Sequence, residues 1–247
     1  MTPGAAAIHT GVMPRRLAPP GRLRMIRRTD AVTRADYTAV IPAIASLGSI
    51  ATGDVTFLIG ENGSGKSTLI EAVAIRAGLN PEGGSQNLQF ETRPTSSELH
   101  LDIELVWERR PARAFFLRAE TFYNAATAYE GVGIGGYHER SHGESFLDAV
   151  QGQILPGSFV VMDEPESALS VTGQLKLMRS VRDLVAGGSQ FLIATHSPIL
   201  LAYPDALIYR LDNDGIEVVP YDEAEPVQLT KAFLAEPDRF FHHLFED

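Results

Sequence analysis

The segment Gly60-Glu-Asn-Gly-Ser-Gly-Lys-Ser67 constrains this chain more than any other, because of what stands on either side of it. Val55-Thr-Phe-Leu-Ile59 is short, apolar and rich in strand formers, and reads as a buried strand. Lys66 to Ala77 has helical composition and stops at Gly78. The eight residues between match G-x-x-x-x-G-K-[ST] at every fixed position, in the strand–loop–helix setting that the pattern requires. Such glycines let the backbone wrap with its N–H groups inward, a nest for phosphate oxygens, and the helix N-terminus adds partial positive charge. Asn62, Gly63, Ser64, Gly65 and Thr68 are expected to line that nest. Lys66 is expected to reach the β- and γ-phosphates of a nucleotide, and the Ser67 hydroxyl to ligate Mg²⁺.

Phe159-Val-Val-Met-Asp163-Glu164-Pro165 is a second apolar strand, ending in two consecutive carboxylates. Successive strand residues point to opposite sides, so two adjacent acids cannot serve one partner from a regular strand. The division of labour that follows sends Asp163 toward the metal and Glu164 toward the water that attacks the γ-phosphate. Glu166 reads as a solvated charge at the start of the next segment. Ala194-Thr195-His196-Ser197-Pro198 lies just past a third buried strand, 33 residues after Asp163. A histidine at the carboxyl end of a strand in an α/β sheet stands where ligands bind, and His196 is a candidate to hold Glu164 and the water in line.

The 247 residues are 44% hydrophobic and 21% charged, enough for one large domain, and they contain no cysteine. Disulfides, thiolate metal sites and cysteine nucleophiles are therefore excluded. No apolar run approaches the roughly 20 residues of a membrane helix, and residues 1–24 lack a secretory-type apolar core, so membrane insertion is not expected and the cytoplasm is the expected compartment. Residues 1–36 carry a balance of +5 and the remainder −15. Residues 1–22 read as a disordered basic arm and 23–247 as a single domain, its first strand near Leu23. The acidic body gives a nucleic-acid partner no electrostatic support.

Strands alternating with helices imply an α/β fold with a mainly parallel sheet. Alternation from Leu99 to Trp107 predicts a strand, with Ala114–Arg118 as its antiparallel hairpin partner. Val171–Val185 reads as a helix, and Asn213-Asp214-Gly215 as a hairpin turn between strands at 206–210 and 215–219. Residues 227–244 read as one or two closing amphipathic helices, and Tyr37 as an aromatic of the core.

Taken together, Val55–Glu71, Ser141–Leu147, Val160–Ser170 and Phe191–Pro204 resemble the ATP-binding-cassette class of P-loop ATPases, and within it the small stand-alone ATPases related to the SMC and RecF type. The resemblance covers most of the chain from about residue 23. It implies a P-loop NTPase fold with a small helical signature subdomain at about 120–157, and ATP and Mg²⁺ as cofactors. Ser141, Gly143 and Glu144 resemble a reduced signature motif, with Arg140, His142 and Glu144 replacing its usual Leu, Gly and Gln. In that class the signature of one subunit caps the γ-phosphate held by the other, which implies an ATP-dependent homodimer acting on an unknown protein partner. Ser141 and Glu144 also have the spacing of a helix capping box. Glu120 stands where the class often has a Gln that touches Mg²⁺, and Ser167–Ser170 resembles the loop that couples the two sites.

The expected function is Mg-dependent ATP binding and hydrolysis, with dimerisation as a switch. The alternatives are the ATP-binding subunit of a membrane transporter and a DNA-repair or defence-associated ATPase. Only 97 residues separate Lys66 from Asp163, without sustained heptads, so no SMC-type coiled-coil arm fits between them.

Overall fold

The computed structural model describes residues 21–29, 37–81, 83–85, 97–119 and 142–245. Residues 1–20 of the expected basic arm, Glu120, Ser141 and most of the expected signature subdomain lie outside the described residues, whereas Arg22, given to the arm, opens the first strand.

Among the described residues two sheets form. The larger runs in the order β10-β9-β3-β8-β7-β6-β4. Its strands are β3 (Val55–Ile59), β4 (Gly84–Ser85), β6 (Ala114–Arg118), β7 (Phe159–Asp163), β8 (Gln190–Ala194), β9 (Leu207–Asp212) and β10 (Gly215–Val218). The five strands from β9 to β6 are mutually parallel, and the edge strands β10 and β4 pair antiparallel. The smaller sheet is antiparallel, in the order β2-β1-β5, from β1 (Arg22–Arg28), β2 (Ser49–Ala51) and β5 (Ile103–Arg109). The helices are α1 (Pro42–Ala45), α2 (Lys66–Arg76), α3 (Leu99–Asp102), α4 (His142–Gln153), α5 (Val171–Ala186), α6 (Glu225–Ala235) and α7 (Pro237–Phe245).

The central strands are apolar except at Thr56, Asp163 and Gln190, because both of their faces are covered. β3, β7 and β8 are buried at all five positions. Along β7, Phe159 and Val161 join one core with Leu23, Ile26, Ile70 and Val73, while Val160 and Met162 join another with Phe146, Val150, Leu177 and Val181. The first core is closed by the antiparallel sheet and α2, the second by α4 and α5. This three-layer arrangement is the α/β, mainly parallel P-loop architecture expected from the strand–helix alternation, with the antiparallel sheet added to it.

Three sequence-based expectations are corrected. Leu99–Asp102 is a helical turn, and the strand begins only at Ile103. The alternation before Ile103 is local amphipathicity that a single turn also satisfies. β5 and β6 are adjacent in sequence but do not form a hairpin: β5 pairs with β1, and β6 pairs in parallel with β7. The connection from Arg110 to Arg113 crosses from one sheet to the other, because Phe116 and Leu117 have two faces to bury and an edge hairpin would cover one. Tyr37 opens a 3-10 turn (Tyr37–Val40) and is 55% exposed, so it is not a core aromatic.

Side chains tie the two sheets together, among them Tyr209, whose hydroxyl donates to Ala51 C=O at 3.0 Å. Gln190, 4% exposed at the start of β8, accepts from Leu23 N–H at 2.8 Å and donates to Leu23 C=O at 2.9 Å and Gly53 C=O at 2.8 Å. Trp107 of β5 packs edge-on against Phe159 of β7, with centroids 5.1 Å apart. Gln190→Leu keeps the volume but leaves Leu23 N–H and Gly53 C=O without this partner, while Leu23 C=O keeps the Thr52 hydroxyl at 2.7 Å. We expect it to cost about 3 kcal/mol of unfolding free energy in urea titrations, the scale of two stranded polar groups.

Candidate functional site

The sheet register builds the site. Tyr209, Leu58, Ala194, Asp163 and Arg118 lie side by side in one row across β9, β3, β8, β7 and β6. The segments beyond this row leave the carboxyl ends of parallel strands together, where ligands bind in open α/β sheets. They are the glycine loop after β3, Thr195-His196 after β8 and Glu164 after β7.

Gly60 has φ +146° and lies so close to the hairpin that a Cβ would stand 2.2 Å from Leu211 C=O, so no side chain fits there. Gly65 has φ +99° and packs against Ile41 and Ile44. These two positions shape the loop and deliver it to α2, which starts at Lys66 with no side-chain cap and no acidic residue in its first turn. Its free amides are thus left without a side-chain partner. By contrast, Ser170 caps α5 by accepting from Gly173 N–H at 3.1 Å. Residues 60–64 line an open cavity of about 460 Å³, which Arg210, Asp212 and Glu225 close on the far side.

Lys66 is 4% exposed, and its Nζ donates to Gly60 C=O at 2.6 Å and Glu61 C=O at 3.0 Å. Burial pushes its pKa down, against the pull of Glu164, Asp163 and Glu166. Ser67, one residue on, donates from Oγ to Asp163 Oδ1 at 3.2 Å, joining the start of α2 to the end of β7. Asp163 Oδ2 accepts from Arg118 Nε at 3.1 Å, and Arg118 reaches Glu71 Oε2 at 3.2 Å. Burial pushes the carboxyls of Asp163 and Glu71 up in pKa, and Arg118 only partly offsets this. The guanidinium is itself opposed by burial, but the two carboxylates more than compensate and hold its pKa above the usual arginine range.

Glu164 has φ 47° and ψ 52°, a left-handed conformation that costs a residue with a Cβ roughly 1–3 kcal/mol. Its surroundings impose that geometry. Glu164 N–H donates to Ala194 C=O at 3.0 Å, and Glu164 C=O accepts from Ser167 Oγ at 2.8 Å. The carboxylate stands 3.7 Å from His196 Nε2, too far for a hydrogen bond, and both side chains are between a third and two fifths exposed. Glu166 is not the solvated charge that the sequence implies. It is half-buried, and its Oε1 accepts from His196 N–H at 2.5 Å, fixing the histidine loop. Ser197 continues that loop inward and donates to Gln174 Oε1 at 2.5 Å.

The structure therefore brings together Asn62, Gly63, Ser64, Gly65, Lys66, Ser67 and Thr68 on one loop and helix start, with Asp163, Glu164 and His196 on the neighbouring strand ends. Gly143 and Glu144 lie elsewhere, in the first turn of α4, where a Cβ on Gly143 would meet Ala168 C=O at 2.9 Å. Three residues of the site escape sequence reasoning: Arg118, Glu71 and Glu166. Signals for two of them exist. Arg118 ends the apolar β6 as Asp163 ends β7, and Glu71 falls one helical turn after Ser67.

The donor set fits a nucleotide and its metal. Ser64 Oγ and His196 Nε2 are buried and lack a hydrogen-bond partner. Phosphate oxygens suit both of them. Among the described residues no three His, Asp or Glu side chains gather closely enough to hold a metal alone. Ser67 and Asp163 would share the ion with phosphate oxygens.

A family model described as "AAA domain, putative AbiEii toxin, Type IV TA system" matches residues 55–135. The cytochrome c biogenesis ATP-binding export protein CcmA of Rhodopseudomonas palustris is 30% identical over 172 residues, 62% of this chain and 82% of that protein. The chain belongs to the ATP-binding-cassette ATPase family. A putative ribose/galactose/methyl galactoside import ATP-binding protein of Rhizobium etli is 24% identical over 78% of this cassette chain and 44% of its own length. Across three such curated relatives the chain spans between 42% and 61% of their length. Among solved structures, the SMC head domain from Thermotoga maritima aligns over 81% of this chain and 98% of its own, at 18% identity and a TM-score of 0.46.

In this cassette Asp163 is a carboxylate held against its own solvation. Asp163→Asn removes the charge and keeps an acceptor for Arg118. We expect the nucleotide-free variant to be more stable than wild type at neutral pH by about 1 kcal/mol, the usual scale for relieving a functional site. Because the folded-state pKa of Asp163 is raised, the folded protein takes up that proton at a higher pH than the unfolded chain does. Wild type therefore gains relative to the variant as pH falls through that raised value toward the ordinary carboxylate range, and the gap closes there. Thermal melts of both proteins across that window, without Mg²⁺ or nucleotide, measure it.

Proposed function

We propose that the protein binds and hydrolyses Mg·ATP, and that ATP joins two copies into a dimer that switches a protein partner. One observation carries the reading: the hydrogen bond from Ser67 Oγ to Asp163 Oδ1, which spans 96 residues of sequence to pair a hydroxyl at a helix start with a buried carboxylate. A glycine turn formed for packing alone has no need of that pair.

In this reading the loop amides and Lys66 hold the phosphates, Lys66 exchanging its two loop carbonyls for phosphate oxygens. Ser67 and Asp163 hold Mg²⁺, which when bound neutralises charge on the β- and γ-oxygens. Glu164 accepts a proton from the attacking water. His196, held at its N–H by Glu166, keeps Nε2 free to donate to the γ-phosphate. Catalysis is then positioning plus electrostatic stabilisation by groups that are already in place.

Ser141, Gly143 and Glu144 serve the second copy, their hydroxyl and amide groups donating to its γ-phosphate, with Glu120 at the metal. Support for a trans role is that Gly143 packs on the 3-10 turn (Pro165–Ala168) that follows Glu164, which links the signature helix to the acidic pair. The second reading is the ATP-binding subunit of a transporter, favoured by the import and export names that several relatives carry. Among the described residues no helix is long and apolar enough to cross a membrane, so in that reading the membrane component is another chain.

Lys66→Ala is expected to weaken nucleotide binding at least about tenfold, the worth of one charge-assisted contact; equal affinity by calorimetry overturns the cradle. Glu164→Gln is expected to bind Mg·ATP, turn it over far more slowly and double its mass in light scattering only when Mg·ATP is present. A variant that binds the nucleotide yet stays monomeric refutes the self-sandwich.

A further inference from the structure

The Arg118 ion pair is foreign to a site meant to hold a divalent cation. Asp163 has two carboxylate oxygens, and the protein occupies both: Oδ1 accepts from Ser67 and Oδ2 from Arg118. Arg118 also spans to Glu71, so one guanidinium bridges two carboxylates that share a buried corner beside Ser67. The side chains of Arg118, Glu71 and Asp163 are 19%, 16% and 5% exposed, too withdrawn for bulk counterions to screen them. Asp163 and Glu71 together carry two negative charges next to a hydroxyl, and Arg118 cancels one of them. Its place on β6 is fixed by register, directly opposite Asp163.

We propose that Arg118 is a built-in counter-cation that keeps free divalent metal out of the empty site and makes metal binding conditional on nucleotide. Without phosphates, a bare ion must compete with a tethered guanidinium for Asp163 and finds too few other ligands. With nucleotide bound, phosphate oxygens supply both charge and ligands, and Arg118 retreats to Glu71, which already accepts from its NH1 group. Glu71 is the seat that lets Arg118 release Asp163 without becoming an unpaired buried charge. Arg118 is thus a positioning residue, acting on the metal through Asp163, and the proposal rests on the assignment of Ser67 and Asp163 as metal ligands.

The test is Mn²⁺ binding to the full chain without nucleotide, read by electron paramagnetic resonance, on wild type, Arg118→Gln, Arg118→Lys and Asp163→Asn. Removing the counter-cation is expected to tighten nucleotide-free Mn²⁺ binding at least tenfold, while Arg118→Lys, which keeps the charge, stays within about threefold of wild type. A merely structural arginine would leave metal affinity unchanged or lower it when removed. Equal or weaker Mn²⁺ binding by Arg118→Gln overturns the proposal. If that variant does not fold, Arg118→Met, which keeps the apolar stem without the charge, replaces it under the same criterion, and wild type that binds Mn²⁺ through Asp163 as tightly without nucleotide as with it overturns the proposal. If Mn²⁺ binding with nucleotide is indifferent to Asp163→Asn, the ligand assignment fails instead, an outcome separate from failure at Arg118.

Discussion

A carboxylate at the end of a fully buried strand has to be given partners, and in this protein the partners of Asp163 organise everything around it. Ser67 reaches it from the first turn of α2, and Arg118 from the adjacent strand. Each contact requires a particular tertiary arrangement. Ser67 arrives only if the glycine loop turns the chain back over the sheet edge, and Arg118 only if β6 pairs in parallel with β7. An acid left without them would take up a proton or destabilise the fold. The ion pair, the loop and the strand order are therefore interdependent, and the expected stability gain from Asp163→Asn is the counterpart of the site's chemical readiness.

The strand order also sets the spacing of the chemistry. β8 lies between β3 and β7, and adjacent strands are separated by roughly 4.8 Å. The glycine loop and Glu164 consequently stand about two strand widths apart, with His196 rising between them. His196 Nε2 stands 3.7 Å from the Glu164 carboxylate. Backbone strain at Glu164 and the clamp of Glu166 on the His196 N–H hold the two groups in place before any ligand arrives. Such preparation lowers the reorganisation that a reaction would otherwise require.

Legibility in the sequence followed the range of the interactions. The glycine loop, the strand before it and the helix after it are local features with local signals, and the observed elements fall within a residue or two of the expected ones. β8 and α5 are similarly legible, since an apolar run of four and a capped amphipathic stretch need no distant partner to be recognised. Ile103–Arg109 and Ala114–Arg118 were harder. Both look like strands, but whether neighbours in sequence pair with each other depends on which distant surfaces they have to cover, and β1 and β7 compete successfully for them. Glu166 is illegible in the sequence for the same reason. Its solvated appearance in Asp-Glu-Pro-Glu gives no hint that the His196 backbone, 30 residues away, claims its oxygen.

By itself the sequence determined that a glycine-rich turn of the phosphate-loop pattern stands between a strand and a helix, that an acidic pair and a histidine follow other buried strands, and that no thiol chemistry is available. These are matters of residue type and spacing, carried by covalent order. Only the tertiary structure decided that the acidic pair, the histidine and the loop share one edge of one sheet, and that Asp163 arrives there already paired with a cation. Parallel strands have no short turns to announce their neighbours, so their order is settled by the burial of both faces. Arg118 meets Asp163 because two strands pair in register across 45 residues of chain, which is a property of the sheet and of no segment within it.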